Sequence, residues 1–254
     1  MVRNLVIDIG NSALKWAWVD SDGVLSAAGY GRHHGVSMLR LFDESWSESE
    51  TPTAVWVASV VAPALTQQLI DWVERTWDLS ARRVVAERAA LGVENGYREP
   101  SQLGVDRWLA LVAARARHRG PVCVADCGTA VTIDALDDNG RHLGGFILPG
   151  ISLCRQALLE HTRIPWIEDA ETGTRFGRDT AAAVALGGRR AVAGVIDYTI
   201  KHLPPSAEFP ALLLTGSEAE QVGRILARSF TEVPHLVLEG LAHYASRSES
   251  TCAG

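Results

Sequence analysis

The chain has 254 residues, 47% hydrophobic and 21% charged, which is room for one large core or two smaller ones and excludes a low-complexity or disordered chain. With 30 acidic against 24 basic residues the formal net charge is -6, so no general positive field attracts nucleic acid or an anionic membrane. A polyanionic ligand would have to be met locally, by backbone N–H groups and a metal ion.

The chain opens with Met1-Val2-Arg3-Asn4, and its first apolar run is broken at once by Asp8 and Gly10, too short and too polar for a signal peptide. No stretch approaches membrane-spanning length. The four cysteines, Cys123, Cys127, Cys154 and Cys252, form no C-x-x-C pair and have no histidine at zinc-ligand spacing, as expected of reduced thiols in a cytosolic protein. A cytoplasmic protein with no membrane or nucleic-acid partner is the expectation.

Leu5-Val6-Ile7 reads as a strand running into the turn Asp8-Ile9-Gly10-Asn11-Ser12, followed by a second strand from Leu14 to Val19 and a turn at Asp22-Gly23. A glycine after the carboxylate lets the backbone turn tightly and keeps side chains out of the way. Asn11, Ser12 and exposed backbone N–H groups then face one cavity, with Lys15 on the same face as Asn11 and Ala13 in a regular strand. Such a loop can wrap phosphate oxygens while Asp8 holds Mg²⁺ directly or through water, although D-x-G is also a common hairpin turn. His33 and His34 are expected as solvent-exposed loop residues, since no cysteine or acid stands at ligand spacing.

Ala54–Ala58 reads as a strand, and Ala64–Trp77 as a helix with Leu65, Leu69, Trp72, Val73 and Trp77 on one face. Trp16, Trp56, Trp72 and Trp108 sit inside periodic apolar patterns and are expected to pack. Gly104-Val105-Asp106-Arg107 heads a helix over 105–118. Asp106 suits the helix dipole as a cap or serves chemistry; Arg107 binds an anionic group or pairs with surface acid. Arg115, Arg117 and Arg119 around His118 read as a solvated helix end before Gly120-Pro121.

Close to half a chain length after Asp8 the opening pattern returns. Val122–Ala125 runs into Asp126-Cys127-Gly128-Thr129-Ala130, then Val131–Leu136 and a turn at Asn139-Gly140. Helices follow at 151–160, 179–200 and 218–227, with a strand at Ala211–Thr215 ending on Gly216. An α/β fold with mixed sheets flanked by helices, built twice, is expected, with domains over 1–119 and 120–254. Two acidic turns, one per half, would suit the clamping of a triphosphate, because phosphoryl transfer needs positioning and charge neutralisation above all.

The ordered set Asp8-x-Gly10-Asn11-Ser12-x-x-Lys15-Trp16, Gly104-Val105-Asp106-Arg107, Asp126-x-Gly128-Thr129-Ala130-x-Thr132-x-Asp134 and Gly144-Gly145-x-Ile147-x-Pro149-Gly150 resembles the type III pantothenate kinases. Thr180, Thr215-Gly216 and Leu238-Glu239-Gly240-Leu241 extend the likeness. The resemblance implies two duplicated actin-like (ribonuclease H-like) domains of the acetate and sugar kinase superfamily, with the nucleotide cleft between them. It implies ATP-dependent phosphorylation of pantothenate to 4′-phosphopantothenate, the first step of coenzyme A synthesis.

Roles follow from the same resemblance. Asp8, Ile9, Gly10, Asn11, Ser12, Ala13, Leu14 and Lys15 would form the ATP phosphate loop, with Thr129 in the ATP site. Asp106 would be the base that deprotonates the primary hydroxyl. Tyr97, Gly104, Val105, Asp106 and Arg107 would line the pantothenate pocket, Arg107 suiting the carboxylate, and Thr180 would contact the same substrate. Asp126 would hold a monovalent cation, K⁺ or NH₄⁺, needed besides Mg²⁺. A homodimer with its pantothenate pocket at the subunit interface is also implied. Ser12 stands where Thr is commoner, and Thr215-Gly216-Ser217 replaces a double glycine. A kinase for another small hydroxyl substrate and a non-catalytic nucleotide-binding regulator are the competing expectations.

Overall fold

The computed structural model describes residues 3–33, 35–165 and 175–252 and contains two five-stranded sheets with the same wiring. In the first, β1 (Asn4–Ile9) pairs antiparallel with β2 (Ala13–Val19), which pairs antiparallel with β3 (Leu25–Arg32). Helix α1 (Met38–Trp46) leads to β4 (Ala54–Ser59), parallel to β1 on its other side; α2 (Pro63–Trp77) leads to β5 (Arg82–Arg83), parallel to β4. A small hairpin of β6 (Ala89–Ala90) and β7 (Val93–Glu94), then a 3₁₀ turn at Pro100–Gln102, precede α3 (Val105–Arg117).

The second sheet repeats the scheme. β8 (Val122–Cys127), β9 (Ala130–Leu136) and β10 (His142–Pro149) form the antiparallel meander. After α4 (Ile151–His161) and α5 (Thr180–Lys201), β11 (Ala211–Thr215) runs parallel to β8, and after α6 (Ala219–Gly223) comes β12 (Thr231–Glu232), parallel to β11. The last helix is α7 (Leu236–Cys252). The strand orders are β3-β2-β1-β4-β5 and β10-β9-β8-β11-β12, so the repeated sequence pattern is a repeated topology.

The chain divides into two compact units, Met1–Ala116 with His235–Gly254, and Arg117–Pro234. The expected division at 119/120 differs from this in two respects: the boundary falls at 116/117, and α7 belongs with the first unit. It packs against β1, β2 and β4, and a Cβ on Gly240 would lie 2.3 Å from the Leu109 carbonyl oxygen of α3, so the two helix backbones touch. A sheet with one covered face needs cover on the other, and nothing in the α7 sequence discloses which sheet it serves.

In the first core Leu5, Ile7 and Ile9 point one way with the period of two that a strand imposes. They meet Met38, Phe42 and Trp46, a stripe spaced by fours along α1, and Leu69, Trp72, Val73 and Trp77 of α2. Phe42 stacks on Trp46 at 5.8 Å between centroids, and Trp72 meets Trp77 edge-on at 4.9 Å. The buried Trp72 indole donates to Asp43 Oδ1 at 2.7 Å, which satisfies its one polar atom. The second core gathers Cys123, Ala125, Cys127, Val131 and Ile133 against Val192, Ile196 and Ile200 of α5.

Trp72 and Trp108 are buried as expected of packing residues. The helix expected over 218–227 stops at Gly223. Beyond it the bonds tighten to i→i−3, from Ile225 N to Val222 O and from Leu226 N to Gly223 O. Among the described residues no helix is long and apolar enough to cross a membrane.

Candidate active site

The first corner lies where β1 gives way to β2. Asp8 faces Lys15 in register, so both side chains project from the same side of the sheet, opposite to the core-facing Ile7 and Ile9. Asp8 is only 6% exposed, whereas Asn11 and Ser12 are exposed. Ile9 and Leu14 are buried in the first core, so of the expected loop residues these two offer only backbone. Gly10 N donates to Ala13 O at 3.0 Å, Val60 N to Ile9 O at 3.1 Å, and His33 Nε2 to Gly10 O at 2.7 Å. The expectation of a solvent-exposed His33 is thereby corrected: its ring is half-buried against the turn. His34 lies outside the described residues.

The reason given for the turn glycines also needs correcting. Neither Gly10 nor Gly128 has a positive φ, and a Cβ on either would make ordinary contacts, at 3.4 Å from Ala13 O and 3.6 Å from Ala130 O. The turns do not demand glycine. What glycine supplies there is bare backbone at the surface of the corner.

The second corner, between β8 and β9, is closed by Gly128 N donating to Ala130 O at 3.2 Å. Glycines elsewhere in this unit are the ones under steric demand. Gly150 donates its N–H to Thr129 O at 2.9 Å, and a Cβ there would stand 2.2 Å from Gly128 O. Gly216, at φ +91, leaves room for Asp126: a Cβ would meet Asp126 Oδ1 and Cys127 O, each at 2.5 Å. Glu218, 7% exposed, donates its backbone N–H to Cys127 O at 2.7 Å, and its carboxylate accepts from Ile151 N at 2.7 Å and Ser152 N at 2.9 Å. It caps α4, whose own N-cap, Gly150, has no side chain to do so. Sequence reading missed Glu218, although the Thr215-Gly216 turn immediately before it was the signal. Burial, with the Asp126 and Glu218 charges nearby, pushes the Cys127 thiol up to about 12.

A third group surrounds the start of α3. Asp106 folds back over Gly104, where a Cβ would lie 2.5 Å from its Oδ1, and that oxygen accepts from Arg107 N at 2.8 Å. Arg107 is 5% exposed and donates from a guanidinium nitrogen to Tyr97 OH at 2.6 Å, with its Cζ 5.5 Å from the Tyr97 ring centre. A cation so deep needs polar or aromatic neighbours to offset its lost hydration, and the Tyr97 hydroxyl and ring are two of them. Tyr97 is itself aimed by Asn95, 4% exposed. Asn95 Oδ1 accepts from Tyr97 N at 3.0 Å, while its Nδ2 donates to Glu87 O at 3.0 Å and Pro100 O at 3.2 Å. Asn95 is a second residue that sequence reading did not single out.

Thr180 is the first residue of α5, next to its cap, Asp179 Oδ1, which accepts from Ala182 N at 2.8 Å. It lines a largely apolar groove of about 1280 Å³ between α4 and α5, with Leu153, Leu158 and Val184 and with none of Asp126, Thr129 or Glu218. The expected residues therefore fall into groups: Asp8–Lys15; Tyr97 with Gly104–Arg107; Asp126 with Thr129; and Thr180 on the groove. Among the described residues no three His, Cys, Asp or Glu side chains cluster as a metal site. The carboxylates of Asp8 and Asp126 and the hydroxyls of Ser12 and Thr129 are hard oxygen donors, the class that Mg²⁺ takes in company with substrate phosphates and water.

Residues 4–202 match the family model for type III pantothenate kinase. The type III pantothenate kinase of Halorhodospira halophila is 40% identical, across 97% of this chain and 98% of its own. That of Nitrosococcus oceani is 33% identical, across 95% and 93%. At the level of fold alone, the (R)-2-hydroxyglutaryl-CoA dehydratase component A of Acidaminococcus fermentans superposes with a TM-score of 0.56 at 10% identity, covering 100% of both chains. The two sheets are those of the actin-like ATPase and sugar kinase fold, and the chain belongs to the type III pantothenate kinase family.

Proposed function

We propose that the chain transfers the γ-phosphoryl group of ATP to the primary hydroxyl of pantothenate, giving 4′-phosphopantothenate and ADP at the first step of coenzyme A synthesis. The observation that carries the choice of acceptor is the buried Arg107, held by Tyr97 beside the Asp106 carboxylate. One short segment thus offers a cation for the substrate's carboxylate and a base for its hydroxyl.

In this reading Asp106 accepts the hydroxyl proton as that oxygen attacks phosphorus, and the bond to the ADP oxygen breaks. Arg107 binds the pantothenate carboxylate, with Tyr97, Gly104 and Val105 lining the pocket and Thr180 contacting the same substrate. Asp8–Lys15 and Thr129 hold the ATP phosphates. Mg²⁺ brought with ATP neutralises their charge. Asp126 holds the monovalent cation, K⁺ or NH₄⁺, and the working form is a cytoplasmic homodimer.

A coupled ATP assay with pantothenate, Mg²⁺ and K⁺ tests this reading. Asp106→Asn is expected to lower kcat by about 10²–10⁴-fold. Equal turnover by the native chain and the variant removes Asp106 as the base. A native chain that consumes ATP with other alcohols but not pantothenate removes the acceptor.

A further inference from the structure

We propose that His33 is a positioning residue of the first corner: its Nε2–H holds the Gly10 carbonyl and so turns the Asn11 amide toward the nucleotide phosphates. A carbonyl oxygen only accepts, so at 2.7 Å the imidazole is the donor and Nε2 carries the hydrogen. The Gly10–Asn11 peptide is trans, as are all the described peptides, so its C=O and N–H point in opposite directions. With the carbonyl turned to the imidazole, the Asn11 N–H faces the other way. A flipped peptide would lose the His33 bond and present a carbonyl oxygen where a donor is needed for phosphate.

The tether falls where the sheet stops supplying one. Val60 N holds Ile9 O, and the Gly10 N–H is held by Ala13 O. The next group along the loop is the Gly10 carbonyl, on a residue whose ψ is the least restrained of any amino acid. His33 reaches it because the last residue of β3, Arg32, lies opposite Ala13, so the following residue comes level with the loop. Behind His33 the chain turns back, with Val36 N donating to His33 O at 3.3 Å and Gly35 at φ +75. In the second corner a backbone group, the Gly150 N–H, instead holds the carbonyl one residue further on, Thr129 O.

The inference rests on the reading of Asp8–Lys15 as a nucleotide site, and direct binding separates the two. Wild type, His33→Ala and His33→Gln are titrated as full chains with Mg²⁺ and a non-hydrolysable ATP analogue, alongside KM for each substrate and Tm. His33→Ala is expected to raise the analogue Kd and the KM for ATP about tenfold, the worth of one good hydrogen bond, and to leave the KM for pantothenate unchanged. His33→Gln, whose amide N–H reaches the position of Nε2, is expected to restore Kd to within about threefold of wild type. Wild-type Kd in His33→Ala, with or without a lowered Tm, overturns the proposal, as does equal weakening in both variants. A wild type that does not bind the analogue removes the reading of the corner itself, and His33's role with it.

Discussion

The two corners sit at the same place in two sheets of the same strand order, yet they are braced by different means. The first is a three-residue link, Gly10–Ser12, steadied by one imidazole from beyond the edge strand. The second is a two-residue link, Gly128–Thr129, pressed from outside by the backbone at Gly150 and Gly216 and locked by Glu218. Sheet wiring therefore determines where a corner falls, while the segments that follow the meander determine how stiffly it is held. The first corner should tolerate change in shape but not in hydrogen bonding. The second should tolerate neither.

The most demanding test of that contrast is Gly150→Ala. Its methyl would press on the carbonyl oxygens of Gly128 and Thr129, at 2.2 and 2.8 Å, where only backbone can yield. A loss of about 3 kcal/mol is expected from the denaturant midpoint. Glu218→Gln should cost about 1–3 kcal/mol, because an amide offers one acceptor oxygen to the two N–H groups of Ile151 and Ser152. Gly10→Ala, with its nearest contact at 3.4 Å, should change stability by less than about 1 kcal/mol. If Gly10→Ala costs as much as Gly150→Ala, the two corners are equally stiff and the contrast fails.

The gentlest test uses pH. Burial raises Cys123 and Cys127, both in the second core, to about 12 from an ordinary 9.0. The folded thiols keep protons that the unfolded ones release, so stability is full below pH 9 and falls as pH climbs from there toward 12. Native protein at pH 8 should leave both thiols unreacted with iodoacetamide while the denatured chain reacts fully. Modification of Cys127 in the native state would mean that the second corner opens more readily than its packing allows.

Much of this architecture was legible from residues alone, and the limits have a physical cause. Strands around Asp8 and Asp126 announce themselves through local pattern, apolar runs stopped by Asp-x-Gly, and the repeat marks both corners in the sequence. Helices at 63–77, 105–117 and 180–201 show their stripes over three or more turns. Helix α1 covers only nine residues and was not anticipated, since so short a stripe is weak, and its meaning emerges only against Trp72 and Trp77. Glu218 and His33 act through bonds to residues 67 and 23 positions away, a distance over which spacing carries no information. Gly10 sits in a turn whose φ does not require glycine, which residues alone could not tell, because a sequence displays a missing Cβ but not the φ that would need it.

One further consequence follows from α7. Because that helix closes over β1, β2 and β4, the first unit stays unfinished until the ribosome has made all of the second, and a growing chain shows its open sheet face throughout. The unit that begins earliest is thus completed last. A nonsense mutation within the codons of His235–Gly254 would strike the first unit, leaving the second with its strands and helices already in hand.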